Sequence, residues 1–70
     1  MIPLNLAVPG EENIIRKISG NPEIKRHLEN LGFVTGGTVR LINVLNGNVI
    51  VKVKEARVAI NDEIARKIMV

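Results

Sequence analysis

The most informative absence in this chain is that of cysteine, because it removes two common ways of stabilising a small domain. Without cysteine the chain forms no disulfide and offers no thiolate ligand to a metal ion. Tryptophan and tyrosine are also absent, and Phe33 is the only aromatic residue. Recognition of single-stranded nucleic acid depends heavily on the stacking of bases on aromatic side chains. We therefore expect a protein of a reducing compartment that binds no nucleic acid.

Long apolar runs are missing as well. No stretch approaches the roughly 20 apolar residues that a membrane-spanning helix requires. The segment Met1–Val8 is apolar, but it has no basic residue and is followed directly by Pro9 and Gly10, so it lacks the pattern of a signal peptide. We expect a cytoplasmic location and no direct insertion into a membrane.

The residues that are present indicate one folded domain rich in β-structure. Of the 70 residues, 46% are apolar, and valine and isoleucine are prominent among them, which favours a folded chain over a disordered one. The formal net charge is +3, but the basic residues occur in scattered pairs with carboxylates between them. That distribution is compatible with an anionic partner surface and equally with a contribution to solubility alone.

The segment from Asn21 to Gly32 carries the clearest helix signals. Asn21 is a good N-cap residue, and Pro22 falls at the first helical position, where its missing N–H is not needed. Gly32 suits the left-handed residue that ends a helix. Between them lies one apolar stripe with helical spacing, formed by Ile24, Leu28 and Leu31. The pattern predicts a helix over residues 21–31.

Alternating apolar and polar residues predict strands on both sides of this helix. Asn46-Gly47 separates two of them and is a strong signal for a hairpin turn. A second turn is expected at Glu55-Ala56, and a short C-terminal helix after the cap at Asn61. The predicted strands are Met1–Val8 at an edge, Asn13–Ile18, Thr38–Leu45, Asn48–Lys54, Arg57–Ile60 and Met69–Val70. This order predicts a mainly β fold, in which a bent antiparallel sheet closes into a small barrel with one helix over an open end.

Residues suited to catalysis or metal binding do not form a convincing set. Glu23 and His27 lie four positions apart on one helix face, but two ligands without a third make a poor metal site. The acidic pairs Glu11–Glu12 and Asp62–Glu63 fit a turn and a helix start better than a catalytic pair. We predict no enzyme activity, no cofactor and no metal site. The remaining hypothesis is an interaction module.

The segment Lys25–Phe33, with the sequence KRHLENLGF, resembles the basic–x–Leu–x–x–Leu–Gly segment of the ferrous iron transport protein A (FeoA) family. Further similar pieces follow in the family's order: Ile15-x-x-Ile18-x-Gly20, Gly37-Thr38-Val39 and the C-terminal segment Val58–Val70. The resemblance covers nearly the whole chain and implies one SH3-like β-barrel domain over residues 1–70. The family often has Pro-Gly where this chain has Thr35-Gly36-Gly37, a difference confined to one loop.

The resemblance also implies a function and a partner. Members of the FeoA family are small cytoplasmic proteins that accompany FeoB, a membrane ferrous-iron transporter with a cytosolic GTP-binding domain. It thus implies a non-enzymatic accessory protein that binds or regulates such a transporter through protein–protein contact.

Two questions stay open at this point. A similar domain occurs at the C-terminus of iron-dependent repressors, so the alternative function is that of a regulatory domain that contacts a DNA-binding protein or self-associates as a homo-oligomer. The expected partner-binding surface is the outer side of the predicted helix with the two residues that follow Gly32: Arg26, His27, Glu29, Asn30, Phe33 and Val34. For Phe33 the alternative is a place in the core.

Overall fold

Six β-strands and two α-helices make up the computed structural model, which describes residues 1–70. The strands are β1 (Glu12–Ile14), β2 (Lys17–Ile18), β3 (Thr38–Leu45), β4 (Asn48–Val53), β5 (Ala56–Asn61) and β6 (Ile68–Met69), and the helices are α1 (Pro22–Leu31) and α2 (Asp62–Ala65). One antiparallel sheet has the strand order β1-β3-β4-β5, and a second sheet pairs β2 with β6. The mainly β fold predicted from the sequence is therefore confirmed. The 14 buried residues form one core cluster, and all of them are apolar.

Strands β3 and β4 form the central hairpin. Asn46 and Gly47 have φ values of 49° and 79°, the positive values that a type I′ turn requires. Along β4, Val49, Val51 and Val53 are buried, while Lys52 between them is exposed. Both the turn and this alternation agree with the prediction from the sequence.

A second tight turn joins β4 to β5. It is made by Lys54 and Glu55, with φ values of 48° and 64°, and Val53 pairs with Ala56 across it. The turn therefore lies one residue earlier than the predicted Glu55-Ala56. Neither residue is glycine or asparagine, the types that best tolerate this conformation.

A β-bulge interrupts β3 between Leu41 and Asn43. On the turn side of the bulge Asn43 pairs with Ile50, and on the other side Leu41 pairs with Val51. Ile42 is thus the extra residue of the bulged strand. Because side chains alternate along a strand, the extra residue changes which face the preceding residues occupy.

The prediction of a single strand over Asn13–Ile18 is wrong, because two short strands, β1 and β2, occupy this segment. The chain leaves the four-stranded sheet after Ile14 and joins the two-stranded sheet at Lys17. At this corner the main chain of Ile15 bonds to the turn before β3, with its N–H donating to the Gly37 carbonyl and its carbonyl accepting from the Gly36 N–H, each at 2.8 Å. Ile15 is buried, whereas Ile14 on the outer face is half exposed.

The edge strand predicted over Met1–Val8 is also wrong. Residues Leu4–Leu6 form a 3-10 turn, in which the Leu6 N–H donates to the Pro3 carbonyl at 3.0 Å and the Ala7 N–H to the Leu4 carbonyl at 3.1 Å. In a 3-10 turn side chains three positions apart share a face, and accordingly Leu4 and Ala7 are buried while Leu6 is exposed.

The two ends of the chain meet. Ile2 and Val70 exchange a pair of main-chain hydrogen bonds, with N···O distances of 2.9 Å and 2.8 Å. Pro3 lies in an isolated antiparallel bridge with Met69. The N-terminal segment therefore closes against β6, which contributes Ile68 to the core.

Helix α1 begins and ends where the sequence predicts. The Asn21 side-chain oxygen accepts a hydrogen bond from the Ile24 N–H at 2.8 Å. Gly32 has φ 107°, and two bonds characteristic of a Schellman motif close the helix: Gly32 N–H to the Glu29 carbonyl and Phe33 N–H to the Leu28 carbonyl, both 2.9 Å. Helix α2 has a matching cap, since the Asn61 side chain accepts from the Ile64 N–H at 2.7 Å.

Replacing Asn21 with alanine is expected to lower the free energy of unfolding by about 1 kcal/mol, because the Ile24 N–H loses its partner. Urea unfolding followed by circular dichroism measures the loss. Asn30→Ala is the matched control, since Asn30 is exposed within the same helix and its side chain makes no hydrogen bond within the chain. Equal losses in the two variants would contradict the capping role.

Candidate protein-interaction surface

The outer face of helix α1 is a continuous polar surface. Leu28 is fully buried, and Ile24 and Leu31 pack against the core, so residues on the opposite side of a helix with 3.6 residues per turn point to solvent. Four residues of the predicted partner-binding set are exposed there: Arg26, His27, Glu29 and Asn30. The structure thus brings these four together on one side of one rigid element. We name them the helix surface.

The helix surface has charges that are not used within the chain. The chain has two ion pairs, Arg40–Glu12 and Arg66–Asp62, and neither involves α1. Arg26 and Glu29 therefore keep their full capacity for charge-assisted hydrogen bonds to another molecule. A surface with donors and acceptors of both signs is suited to a specific contact with a protein.

Phe33 does not belong to this surface, and its inclusion in the predicted partner-binding set is wrong. Its side chain has no exposed area. The left-handed Gly32 reverses the chain, and the hydrogen bond from Phe33 N–H to the Leu28 carbonyl holds Phe33 beneath the end of the helix. The residue after the glycine of a Schellman motif commonly makes such an apolar contact, so the motif itself was the signal that could have identified Phe33 as core.

Val34 follows Phe33, two residues after the helix ends at Gly32. It is half buried, and its side chain approaches Gly37 closely, because a Cβ added to Gly37 would lie 3.1 Å from Val34 Cγ2. Part of Val34 is available to a partner next to the helix. The partner-binding role of Val34 and of the four helix residues stays a prediction.

Glu23 and His27 are both exposed on α1. Nowhere in the chain do three or more His, Cys, Asp or Glu side chains come close enough to hold a metal ion. His27 is an exposed polar residue of the helix surface.

The acidic residues singled out in the sequence take part in local structure. Asp62 lies in the first turn of α2, where it accepts from Asn5 Nδ2 at 3.1 Å and pairs with Arg66 Nη2 at 2.8 Å. Glu12 begins β1, rather than lying in the predicted turn, and its Oε2 atom is 3.8 Å from Arg40 Nη2. Asp62 and Glu12 thus each have an arginine partner and lie on different elements, whereas Glu11 and Glu63 make no ion pair.

A row of basic side chains on the outer face of the four-stranded sheet was missed by the sequence reasoning. Arg40 of β3 pairs with Lys52 of β4, which pairs in turn with Arg57 of β5. Directly opposite residues of antiparallel strands lie on the same face, so three cations follow one another across three strands. A strand alignment that included the β-bulge would have shown this row. We name these three residues the cation row.

A shallow cleft of about 280 Å³ lies along part of this face. Its lining includes Arg40 and Lys52 from the cation row, Lys54 and Glu55 from the β4–β5 turn, and Glu12. Most of its lining residues are polar or charged. The cleft therefore suits a polar or charged group better than an apolar ligand.

Helix α1 has ten residues, and none of the helices has the length and apolar character needed to cross a membrane.

Antiparallel strands wrapped around one apolar core, with a single longer helix beside them, define a small, mainly β, SH3-like barrel domain. Residues 2–70 match the model of the FeoA domain family. The chain belongs to that family.

Individual relatives agree with this assignment. The chain is 37% identical over 70 residues to a protein of Methanocaldococcus jannaschii named "Putative Fe(2+) transport protein A", a match that covers 100% of this chain and 85% of the relative. Among solved structures, an iron uptake regulatory protein (FeoA) is similar with a TM-score of 0.88 and 28% identity, covering 97% of this chain and 90% of that one.

A manganese-dependent transcriptional repressor is similar in structure, with a TM-score of 0.84, 20% identity, and coverage of 94% of this chain and 38% of the repressor. At this identity the similarity shows a shared fold alone.

Proposed function

We propose that this protein is a non-enzymatic, cytoplasmic accessory protein of ferrous iron uptake, and that it binds the cytosolic part of an FeoB-like membrane transporter. Two findings support the proposal. The FeoA domain family matches almost the whole chain, and a relative that covers all of it is named for Fe(2+) transport.

The observation that carries the protein-contact part of the proposal is the helix surface. Arg26 and Glu29 are exposed and have no ion pair within the chain, and the helix that carries them is fixed by a cap at each end and by the buried Leu28. A rigid helix loses little conformational freedom when a partner binds, which favours affinity. Arginine is also among the residues enriched where partner contacts contribute most.

The charge reversal Arg26→Glu is expected to weaken binding to the purified cytosolic domain of an FeoB-like transporter by about tenfold or more, a loss of at least about 1.4 kcal/mol. Isothermal titration calorimetry with the full chain measures the affinity. The melting temperature is expected to stay within a few degrees of the unchanged protein, because exposed positions contribute little to stability.

Arg16→Glu is the matched control, since it makes the same change in net charge at an exposed residue outside the helix. Equal weakening by the two variants would show a non-specific charge effect instead of a contact at the helix surface. No binding by the unchanged protein, together with unchanged iron uptake in cells that lack it, would contradict the proposed function. Capture of a DNA-binding protein, or self-association in sedimentation, would favour a regulatory domain of the repressor type.

A further inference from the structure

Two of the three cations in the row, Lys52 and Arg57, have no ion-pair partner in the fold, whereas Arg40 has Glu12 opposite it. Arg40, Lys52 and Arg57 face outward, and like charges directly opposite each other in a sheet lower its stability. The core on the other side of the sheet is formed by their apolar neighbours, such as Leu41 and Val51. At Lys52 and Arg57, which are exposed, any polar residue would serve the sheet equally well. The fold therefore tolerates a repulsion that it does not need.

Little of this positive charge is neutralised within the chain. Glu12 is the one ion-pair partner in the row, at 3.8 Å from Arg40, and Lys52 and Arg57 have none. The Nη2–Oε2 distance of 3.8 Å is longer than a hydrogen bond. The guanidinium group thus keeps hydrogen-bonding capacity that its own chain does not satisfy.

The turn beside the cleft is a second, independent anomaly. The β3–β4 hairpin uses Asn46-Gly47, whereas the β4–β5 hairpin holds Lys54 and Glu55 at positive φ. Both of these residues line the cleft with Arg40 and Lys52. Backbone strain of this kind is concentrated at functional sites, where a side chain must be held in a particular place. The strained turn adds a further cation, Lys54, to the same face.

The occupant that fits this face is an acidic peptide segment. Neighbouring strands are about 4.8 Å apart, so the cation row is roughly 10 Å long and matches carboxylates two or three residues apart on an extended segment. Arginine binds such carboxylates in a two-pronged geometry. Glu12 and Glu55 lie in the same cleft. An acidic segment can place uncharged residues beside these two carboxylates, whereas the phosphates of a nucleic acid and the headgroups of an anionic membrane follow one another without such gaps.

We propose that the outer face formed by the cation row and Lys54 is a binding surface for an acidic segment of a protein. It consists of residues other than those of the helix surface, and the inference does not depend on the proposed function. Binding neutralises the repulsion across the sheet, which couples recognition of the segment to stabilisation of the domain.

The test uses the full chain and a fluorescein-labelled peptide of alternating glutamate and glycine, with a glutamine–glycine peptide as the uncharged comparison. Fluorescence anisotropy at about 0.01 M salt, where the Debye length is roughly 30 Å, is expected to show binding of the glutamate peptide alone. Lys52→Glu is expected to weaken binding of the glutamate peptide roughly tenfold or more, because the variant places a carboxylate, which repels the peptide's glutamates, at the centre of the row. Lys17→Glu makes the same change at an exposed residue of the other sheet. It is expected to leave the affinity for the glutamate peptide within about twofold when the variants are compared at about 0.1 M salt, where the Debye length is about 10 Å and distant charges are screened.

The melting temperature shows whether a variant binds the peptide weakly because it has lost the binding surface or because it has unfolded. Lys52→Glu sets a carboxylate between Arg40 and Arg57, and Lys54→Asn puts a residue that tolerates positive φ into the strained turn. Both variants are expected to melt no lower than the unchanged protein while binding the peptide more weakly.

Three results would overturn the inference. One is the absence of peptide binding at low salt. Another is an equal loss of affinity for the peptide in Lys52→Glu and Lys17→Glu at about 0.1 M salt. The third is tighter binding of a single-stranded oligonucleotide, or of vesicles with anionic lipid, than of the glutamate peptide.

Discussion

Replacing Phe33 with alanine is expected to lower the free energy of unfolding by about 3–5 kcal/mol. The ring is fully buried, and it is the only aromatic side chain in a core of 14 residues. A domain of this length has a total stability on the order of 4–10 kcal/mol at about 0.05–0.15 kcal/mol per residue. The variant is therefore expected to be partly unfolded at room temperature. The measurement is urea unfolding by far-ultraviolet circular dichroism, since the chain has no tryptophan or tyrosine for fluorescence.

Phe33→Leu is the companion variant, and its loss is expected to stay below about 2 kcal/mol because leucine refills most of the space. The comparison separates the effect of the cavity from any effect of losing an exposed contact. If Phe33→Ala cost less than about 1 kcal/mol, the burial of the ring would be in doubt. Phe33 would then return as a candidate for the partner-binding surface.

Replacing Leu28 with alanine is expected to lower the free energy of unfolding by about 2–5 kcal/mol. Leu28 is the fully buried residue of α1, and its truncation leaves a cavity between the helix and the sheet. Alanine has a higher helix propensity than leucine, so the loss comes from packing and not from the helix itself. The same urea experiment gives the value.

His27→Ala is the control at the neighbouring position. His27 is exposed, and its replacement is expected to change the free energy of unfolding by no more than about 0.5 kcal/mol. Together, Leu28→Ala and His27→Ala check that the buried side of α1 maintains the fold and that the exposed side is free for a partner. A large loss in His27→Ala would show that the helix surface has a structural role, and binding experiments with its variants would need a different design.

Features determined by neighbouring residues were accessible from the sequence. The bounds of α1, its N-cap at Asn21, its end at Gly32 and the turn at Asn46-Gly47 all depend on residues within a few positions of each other. Each has a specific chemical requirement: a side-chain acceptor, a left-handed residue, or positive φ at two adjacent positions. The pattern of the chain shows these requirements directly.

Features determined by distant partners were not accessible in this way. The period-two pattern of Ile2, Leu4 and Leu6 is typical of a strand, yet closure against β6 selects a 3-10 turn that buries Leu4 and exposes Leu6. Likewise, Ile15 leaves the strand pattern because its main chain bonds to Gly36 and Gly37, about twenty residues further along. Local preference yields to tertiary contacts in both segments.

The candidate sites show the same division. The exposed residues of α1 follow from helical periodicity alone, and the structure presents them as predicted. The cation row does not follow from sequence periodicity. Strand pairing counted back from the Asn-Gly turn without a bulge would place Arg40 opposite the buried Val53 instead of Lys52. One extra residue, Ile42, decides whether Arg40 faces the core or solvent.

The pairing of Ile2 with Val70 makes this domain suitable for insertion into another protein. Hydrogen-bonded neighbours of this kind lie about 5 Å apart, so a host chain could enter at residue 1 and leave at residue 70 with almost no displacement between its two connections. Adjacent ends of this sort are what allow a domain to interrupt a loop without straining its host. The same closure means that fluorescent labels fused at either end would report on one and the same corner of the molecule.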